Sequence, residues 1–298
     1  MSEKSWLTEF PEMDRSDLIS IRKTLDGAYR EFSRTYGDSI EAFFDPLLSF
    51  LSGFEQLLLN SPWWLVLAVL VGLSYAASRS WKLSGVIALS LLAIGYFGMW
   101  EDTMRTLSMI TVCTVLAILL GIPIGILMAR SDRVQNIVTP ILDVMQTMPA
   151  FVYLIPVVML LGIGKIPGLI AVIIYAIPPV IRLTNLGIRL VDKEALEAAT
   201  AFGASPMQRL TGVQLPLAMP NIMAGINQTI MMALAMVVIA SMIGVKGLGQ
   251  PVLKSITNQY FTLGLLNGLA IVALAIMFDR VSQAWAKRSQ QYREGSHV

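Results

Sequence analysis

Cysteine and histidine are nearly missing from this chain, with one of each in 298 residues. A lone Cys113 excludes an intramolecular disulfide framework and a cysteine-based zinc site. It sits in an apolar run and reads as a small core residue. A lone His297, in the C-terminal tail, cannot assemble a triad or a metal centre. No Gly-x4-Gly-Lys-Ser/Thr run is present, so any ATP hydrolysis must happen on another chain. Gly162-Ile163-Gly164 and Gly247-Leu248-Gly249 read as turns, because neither follows a strand. The N-terminus is polar and acidic and lacks the short apolar core of a cleavable signal peptide. Charge is scarce too. Only 14% of residues are charged, against roughly 25% in soluble domains. The net charge of +2 gives no footprint for a nucleic-acid partner.

What remains is hydrophobic: 55% of the residues are apolar and the mean hydropathy is +0.66. Residues 1–61 are polar at first and then amphipathic, whereas 62–298 is a series of apolar runs with short polar breaks. A helix needs roughly 20 mostly apolar residues to cross a bilayer. Candidate spans are 62–77, 83–100, 106–128, 137–161, 166–188, 217–243 and 261–278, about seven in all, the first of them short. The strand alternation of an outer-membrane barrel is lacking. The fold class is therefore an all-α membrane protein. Ahead of the first span, Asp45 and Pro46 read as the cap and first residue of a helix over about 46–60. Leu47, Leu51, Phe54 and Leu58 share one face of it, which can pack on neighbouring protein, lie in the membrane surface, or do both.

Basic residues set the orientation. The breaks after the first, third, fifth and seventh spans hold Arg79 and Lys82; Arg130 and Arg133; Arg189, Lys193 and Arg209; and Arg280, Lys287, Arg288 and Arg293. The opposite breaks hold only Arg105, Lys165, Lys246 and Lys254. The richer set is expected in the cytoplasm, which puts the C-terminus there and the acidic N-terminal tail (Glu3, Glu9 and others against Lys4 and others) outside.

The long break at 191–216 is built as two short helices with a hinge. Asp192 caps the first, Gly203 supplies the left-handed residue that ends it, and Ser205 with Pro206 starts the second. Pro216 marks the return to the membrane. Small Ala198 and Ala199 let another surface come close, with Glu197 and Arg209 on the rim. Glu197-Ala198-Ala199, then Gly203 after three residues, then Val213-Gln214-Leu215-Pro216 after nine more, resembles at every position the Glu-Ala-Ala loop of ABC importer permeases. Residues 147–156, 175–189 and 225–244 look like the glycine betaine/proline betaine class, and permeases for choline, carnitine and trimethylamine N-oxide look similar. The resemblance covers roughly residues 83–280. It implies a type I importer permease fold in the bacterial inner membrane. It also implies a second copy of the permease, two cytoplasmic ATPase subunits carrying ATP and Mg, and a soluble substrate-binding protein. The chain itself would need no cofactor. Glu197, Ala198, Ala199, Gly203, Arg209, Leu215 and Pro216 would couple to the ATPase.

Polar residues inside spans are candidate pathway groups or interhelical hydrogen bonds. Gln146, Thr147, Asn185, Asn227, Gln228, Thr229 and Ser241 qualify. Pro149, Pro156, Pro178 and Pro179 are placed to break or kink helices. Phe151, Tyr153 and Tyr175 can pack, or can offer aromatic faces to a quaternary ammonium group. Gly121 and Gly125 form a Gly-xxx-Gly pair for close helix packing. A competing reading is an ion-coupled secondary transporter, which usually relies on buried acids; Asp143 is the one clear candidate, near the end of its span. A membrane enzyme finds no nucleophile–base pair. The basic-residue asymmetry makes a prediction. Single cysteines on a Cys113→Ser background should react with an impermeant thiol reagent in intact cells at Lys165 and not at Glu197. Labelling in the reverse order would overturn the orientation.

Overall fold

This computed structural model describes residues 12–294, and side chains from 12 to 287; Glu3, Lys4, Glu9 and His297 and the side chains of Arg288 and Arg293 lie outside that range. The described residues are helical, with no strand among them. In chain order they form α1 (Arg15–Asn60), α2 (Trp63–Ser78), α3 (Trp81–Tyr96), α4 (Trp100–Arg130), α5 (Asp132–Thr147), α6 (Ala150–Leu161), α7 (Lys165–Ala176) and α8 (Pro178–Arg189). There follow α9 (Lys193–Ala201), α10 (Pro206–Arg209), a π turn (Leu210–Gln214), α11 (Leu215–Ala240), α12 (Gly249–Asn258) and α13 (Phe261–Glu294). Five continuous segments are long and apolar enough to cross a membrane: α1, α4, α7 with α8, 206–243 and 261–287. The bent pair α5–α6 makes a sixth.

All seven expected spans are helical, but four differ in detail. The first two are the hairpin α2–α3, whose helices have 16 residues each. At 1.5 Å per residue each reaches about 24 Å, short of a bilayer core of about 30 Å. Arg79, at φ +53°, turns the hairpin, and Trp100 starts α4 instead of ending the second span. The fourth span bends by 100°. Pro149 excludes the helical region for the residue before it, and Met148 accordingly sits at ψ 132°. Pro178 and Pro179 interrupt the helix within the fifth span: α7 ends at Ala176, and the prolines occupy the first turn of α8, where a missing N–H is harmless, so the span continues to Arg189. Pro156 lies inside a continuous α6.

The N-terminal expectation is corrected. Asp45 and Pro46 do not start a helix; Pro46 lies inside the 46-residue α1. Losing one hydrogen bond there is outweighed by packing on both sides. Upstream, Tyr29 donates to the carbonyl of Pro156 and Gly37 lies against α6. Downstream, Leu51 and Leu58 are buried against α4.

The core lies where α4, α7–α8 and α11 meet. Met109, Ile110, Cys113, Val172, Met236 and Val237 fill one end of it, and Cys113 is the small core residue its setting suggested. Toward the other end, α8 approaches α4 so closely that glycine is required. A Cβ on Gly125 would stand 2.7 Å from the carbonyl oxygen of Ile181 and 2.6 Å from Thr184 Cβ. A Cβ on Gly121 would meet the side chain of Val180 at 2.4 Å. On the opposite side of α8, Gly187 faces Asn221 and Ala218 of α11. Small-residue approach of this kind drives helix association where no hydrophobic effect acts between apolar surfaces. Gly125→Ala should therefore destabilise by about 1–3 kcal/mol, because the obstruction is backbone. Gly121→Ala should cost less, since a side chain can move. Gly85→Ala, where nothing lies within 4 Å, should leave the midpoint unchanged or slightly raised. Thermal midpoints of the three variants in one detergent check the order.

Candidate functional site

The loop between α8 and α11 is rigid by local chemistry. Asp192 Oδ1 accepts from the Glu194 N–H at 3.0 Å and opens α9. Gly203, at φ +78°, closes it. The Ala204 N–H donates to the Ala199 carbonyl (3.0 Å) and the Gly203 N–H to that of Thr200 (2.9 Å), the paired pattern of a left-handed helix end. Two residues on, a reciprocal cap starts α10. The Gln208 N–H donates to Ser205 Oγ (3.3 Å), and the Ser205 N–H donates to Gln208 Oε1 (2.8 Å). Arg209 Nη1 reaches back to Thr200 Oγ1 at 3.0 Å and ties the two helices together.

Beneath the loop, Leu196 and Val213 pack on a cluster of Ile188, Val191, Leu210, Ala218 and Ile222. Glu197, Ala198 and Gly203 stay exposed, while Ala199 and Arg209 are half-buried. Leu215 and Pro216 are half-buried as well, and do not mark a separate return to the membrane. Helix continues from Pro206 through Ala240, with one π turn at 210–214. Pro216 has no N–H for the Gly212 carbonyl, and the Leu215 N–H bonds to the Leu210 carbonyl, five residues back. Phe202 is 93% exposed at the tip of the loop. An aromatic on a rigid, otherwise polar turn is a natural interface anchor. Sequence alone does not single it out, because an apolar residue between two short helices usually packs inward; its place directly before the turning Gly203 is the signal that marks it.

The proposed pathway residues do not gather in one place. Tyr153 and Tyr175 meet edge to face, with ring centres 5.8 Å apart, and the Tyr153 hydroxyl donates to the carbonyl of Met145 across the α5–α6 bend. Gln146, Pro149, Phe151 and Gln228 are exposed on the chain's surface. Asn185 is buried and accepts from Arg189 Nε at 3.1 Å. Arg189 also donates to the Met128 carbonyl and pairs with Asp132. Asn227 Nδ2 donates to Asp279 Oδ1 on α13 at 2.9 Å, Ser282 Oγ donates to Asn227 Oδ1 at 2.6 Å, and Gln283 also donates to Asp279.

The architecture and the loop decide the family. Residues 121–291 match the family described as the binding-protein-dependent transport system inner membrane component. This chain belongs to that family. Among its relatives, the Escherichia coli (strain K12) glycine betaine/proline betaine transport system permease protein ProW is 50% identical over 250 residues, covering 82% of this chain and 69% of that one. The Bacillus subtilis (strain 168) glycine betaine transport system permease protein OpuAB is 41% identical over 275 residues, covering 91% and 96%. A chain of the MetNI methionine ABC transporter, solved in inward-facing conformations, superposes with a TM-score of 0.57 at 20% identity over 62% of this chain and 93% of that one, which shows the shared fold.

Asp143 is not the only acid on a helix apolar enough to cross a membrane. It pairs with Arg182. Asp279 lies one residue past the span drawn from hydropathy, and Glu55 lies on α1, bonded to Lys165 at 2.7 Å. Both carry a sequence signal: each is an isolated acid within or beside an apolar helix. The Asn227–Asp279 link joins α11, which carries the loop, to α13. A double-mutant cycle with Asn227→Ala and Asp279→Ala should give a coupling energy of about 0.6–1.7 kcal/mol in thermal or denaturant unfolding, the range measured for such pairs in membrane helices. Additive effects would show that the pair is not an energetic contact.

Proposed function

We propose that this chain is the membrane-spanning permease subunit of an ATP-driven importer for a small quaternary-ammonium osmolyte, of the glycine betaine, proline betaine, choline or trimethylamine N-oxide type. One observation carries the reading: the capped, exposed loop from Asp192 to Arg209 sits on a helix that runs unbroken from Pro206 to Ala240 through the core. A loop held so firmly can receive a push from a partner and pass it on without deforming. Glu197, Ala198, Ala199 and Gly203 form its docking side, with Phe202 as the apolar anchor; Arg209, Leu215 and Pro216 brace it from behind. The partner is a cytoplasmic ATPase that carries ATP and Mg, present in two copies beside two copies of this chain, with a soluble binding protein delivering the substrate. This arrangement requires Arg130 and Glu197 on the cytoplasmic side of the inner membrane, and the multi-pass topology follows from it.

The names of the relatives support the substrate class, and the exposed Phe151 with the Tyr153–Tyr175 pair supplies aromatic faces suited to a quaternary ammonium group. Gln146 and Gln228 are the exposed polar groups open to the path, with Pro149 shaping the bend beside Gln146, while Asn185 and Asn227 serve it from behind through their bonds to Arg189, Asp279 and Ser282.

The test is uptake into liposomes that hold the complex, its binding protein and ATP, after ionophores have collapsed the ion gradients. Uptake of radiolabelled glycine betaine should continue. In the same assay Gly203→Val and Glu197→Lys should insert normally yet show little uptake and co-purify poorly with the ATPase. Gly203 is held at positive φ, where a residue with a Cβ costs about 1–2 kcal/mol. Removing one partner of a partly desolvated charge pair at an interface costs about 2 kcal/mol or more. If uptake stops when the gradients collapse, or if both variants keep ATPase and uptake, the assignment is wrong.

A further inference from the structure

A large apolar cavity lies away from the loop, and touches the proposed pathway residues only through Ser282, which is bonded to Asn227. It holds about 1010 Å³ between α1, α2, α3, α4, α11 and α13. Leu70, Ile87, Leu91, Leu107, Leu274 and Phe278 are among its wall residues. These helices belong to a membrane protein, so an apolar space of this size and lining is not a place for water. It is elongated: on α13 its wall runs from Leu274 to Trp285, eleven residues or about 16 Å of helix.

One end of this cavity differs from the rest. On α13 the lining closes with Ser282 and Trp285. On α2 it closes at Ala77, two residues before Arg79, where the hairpin turns into α3 at Lys82. Arg79 and Lys82 are both exposed, and between them Trp81 packs on Tyr75, with ring centres 4.4 Å apart. Tryptophan and tyrosine rings beside basic residues mark the level where headgroups begin. Arg280 and Lys287 add positive charge at the same end of α13, although they fall off the lining face. Asp279 also falls off that face and is turned toward Asn227 and Gln283; it leaves Arg79, Lys82, Arg280 and Lys287 in excess at this end. Inside, Ser74 lines the cavity at 3% exposure, and its hydroxyl has no hydrogen-bond partner among the described residues. It stands five residues before Arg79, about 7.5 Å along the helix.

We propose that this cavity holds one acyl chain of an anionic phospholipid, with the phosphate against Arg79 and Lys82 and an ester carbonyl accepting from Ser74. The three demands of such a lipid are met in the order in which the molecule presents them: charge at the interface, a donor for its ester a few ångströms below, then an apolar channel. Basic pockets between membrane helices recognise anionic headgroups by this logic. A neutral lipid would satisfy the channel but leave the basic end without a partner. A helix from a second copy of this chain would not account for the isolated donor at Ser74.

Native mass spectrometry of the full-length chain, released from detergent with phosphatidylglycerol or phosphatidylcholine added, reads the site directly. The wild-type chain should retain one phosphatidylglycerol at roughly tenfold lower concentration than phosphatidylcholine. Arg79→Gln with Lys82→Gln, both at exposed positions that folding tolerates, should bring the two lipids to near parity. Ala77→Phe, which fills the polar end of the channel, should remove the tightly held lipid of either kind. Equal retention of both lipids by the wild-type chain overturns the proposal. So does a phosphatidylglycerol preference that survives the charge substitutions, because the basic end then plays no part. Lipid retained in numbers that respond to none of the substitutions is ordinary annular lipid, and that also overturns it.

Discussion

The structure depends on how close α8 comes to its two neighbours. Gly121 and Gly125 of α4 meet it on one side, and Gly187 of α8 itself meets α11 on the other. In lipid, apolar surfaces gain nothing by leaving one another for hydrocarbon, so helices are held by fit and by polar contacts. Backbones that touch attract one another by dispersion over their full length. They also gain a single register, because a shift of one residue would drive a Cβ into a carbonyl. That register places the α8 C-terminus, and with it Asp192 and everything that follows.

From there the loop is specified twice, by its own caps and by the cluster below it. The caps at Asp192, Gly203 and Ser205 would form in almost any exposed helix–turn–helix of this sequence. The cluster of Ile188, Val191, Leu210, Ala218 and Ile222 is what fixes the loop to the bundle, since it joins α8 to α11. The π turn lies between these two sources of order. It absorbs the mismatch between a helix started at Pro206 and a helix whose packing face is set by Gly187 against Ala218 and Asn221. Such turns concentrate at functional sites because they let one helix serve two registers.

How much of this could be read from sequence varies with the range of the cause. The loop was legible almost residue by residue, because caps and a left-handed glycine act within five positions. The Gly-xxx-Gly pair was legible as a contact but not as to its partner. The expected start at Asp45-Pro46 failed because proline and a capping residue are local signals, and α1 is held by distant contacts at Pro156, Leu160 and α4. The 100° bend at Pro149 needed only the rule for residues before proline, yet the apolar run across it looked like one span. Pro178 and Pro179 carry the same local signal and interrupt the helix at Ile177, yet the span keeps its direction because the prolines begin the next helix at once. α12 was not anticipated: Gln250, Lys254 and Asn258 recur at helical spacing, but the ten residues are too short and polar to cross a bilayer and were read only as the break between two spans.

The acids placed among these helices are part of what holds them together. Glu55 lies against Lys165 at 2.7 Å and Arg105 at 4.0 Å, Asp143 against Arg182, and Asp279 against the amides of Asn227 and Gln283. Two of the three are ion pairs and the third is a set of donated hydrogen bonds. Asp143, the acid on which the ion-coupled reading rests, is paired with Arg182. It staples α5, just before the bend, to α8, the helix on which the bundle is built. Each of these contacts joins one helix to another, α1 to α7 and α4, α5 to α8, and α11 to α13, so the charges act as ties across the bundle.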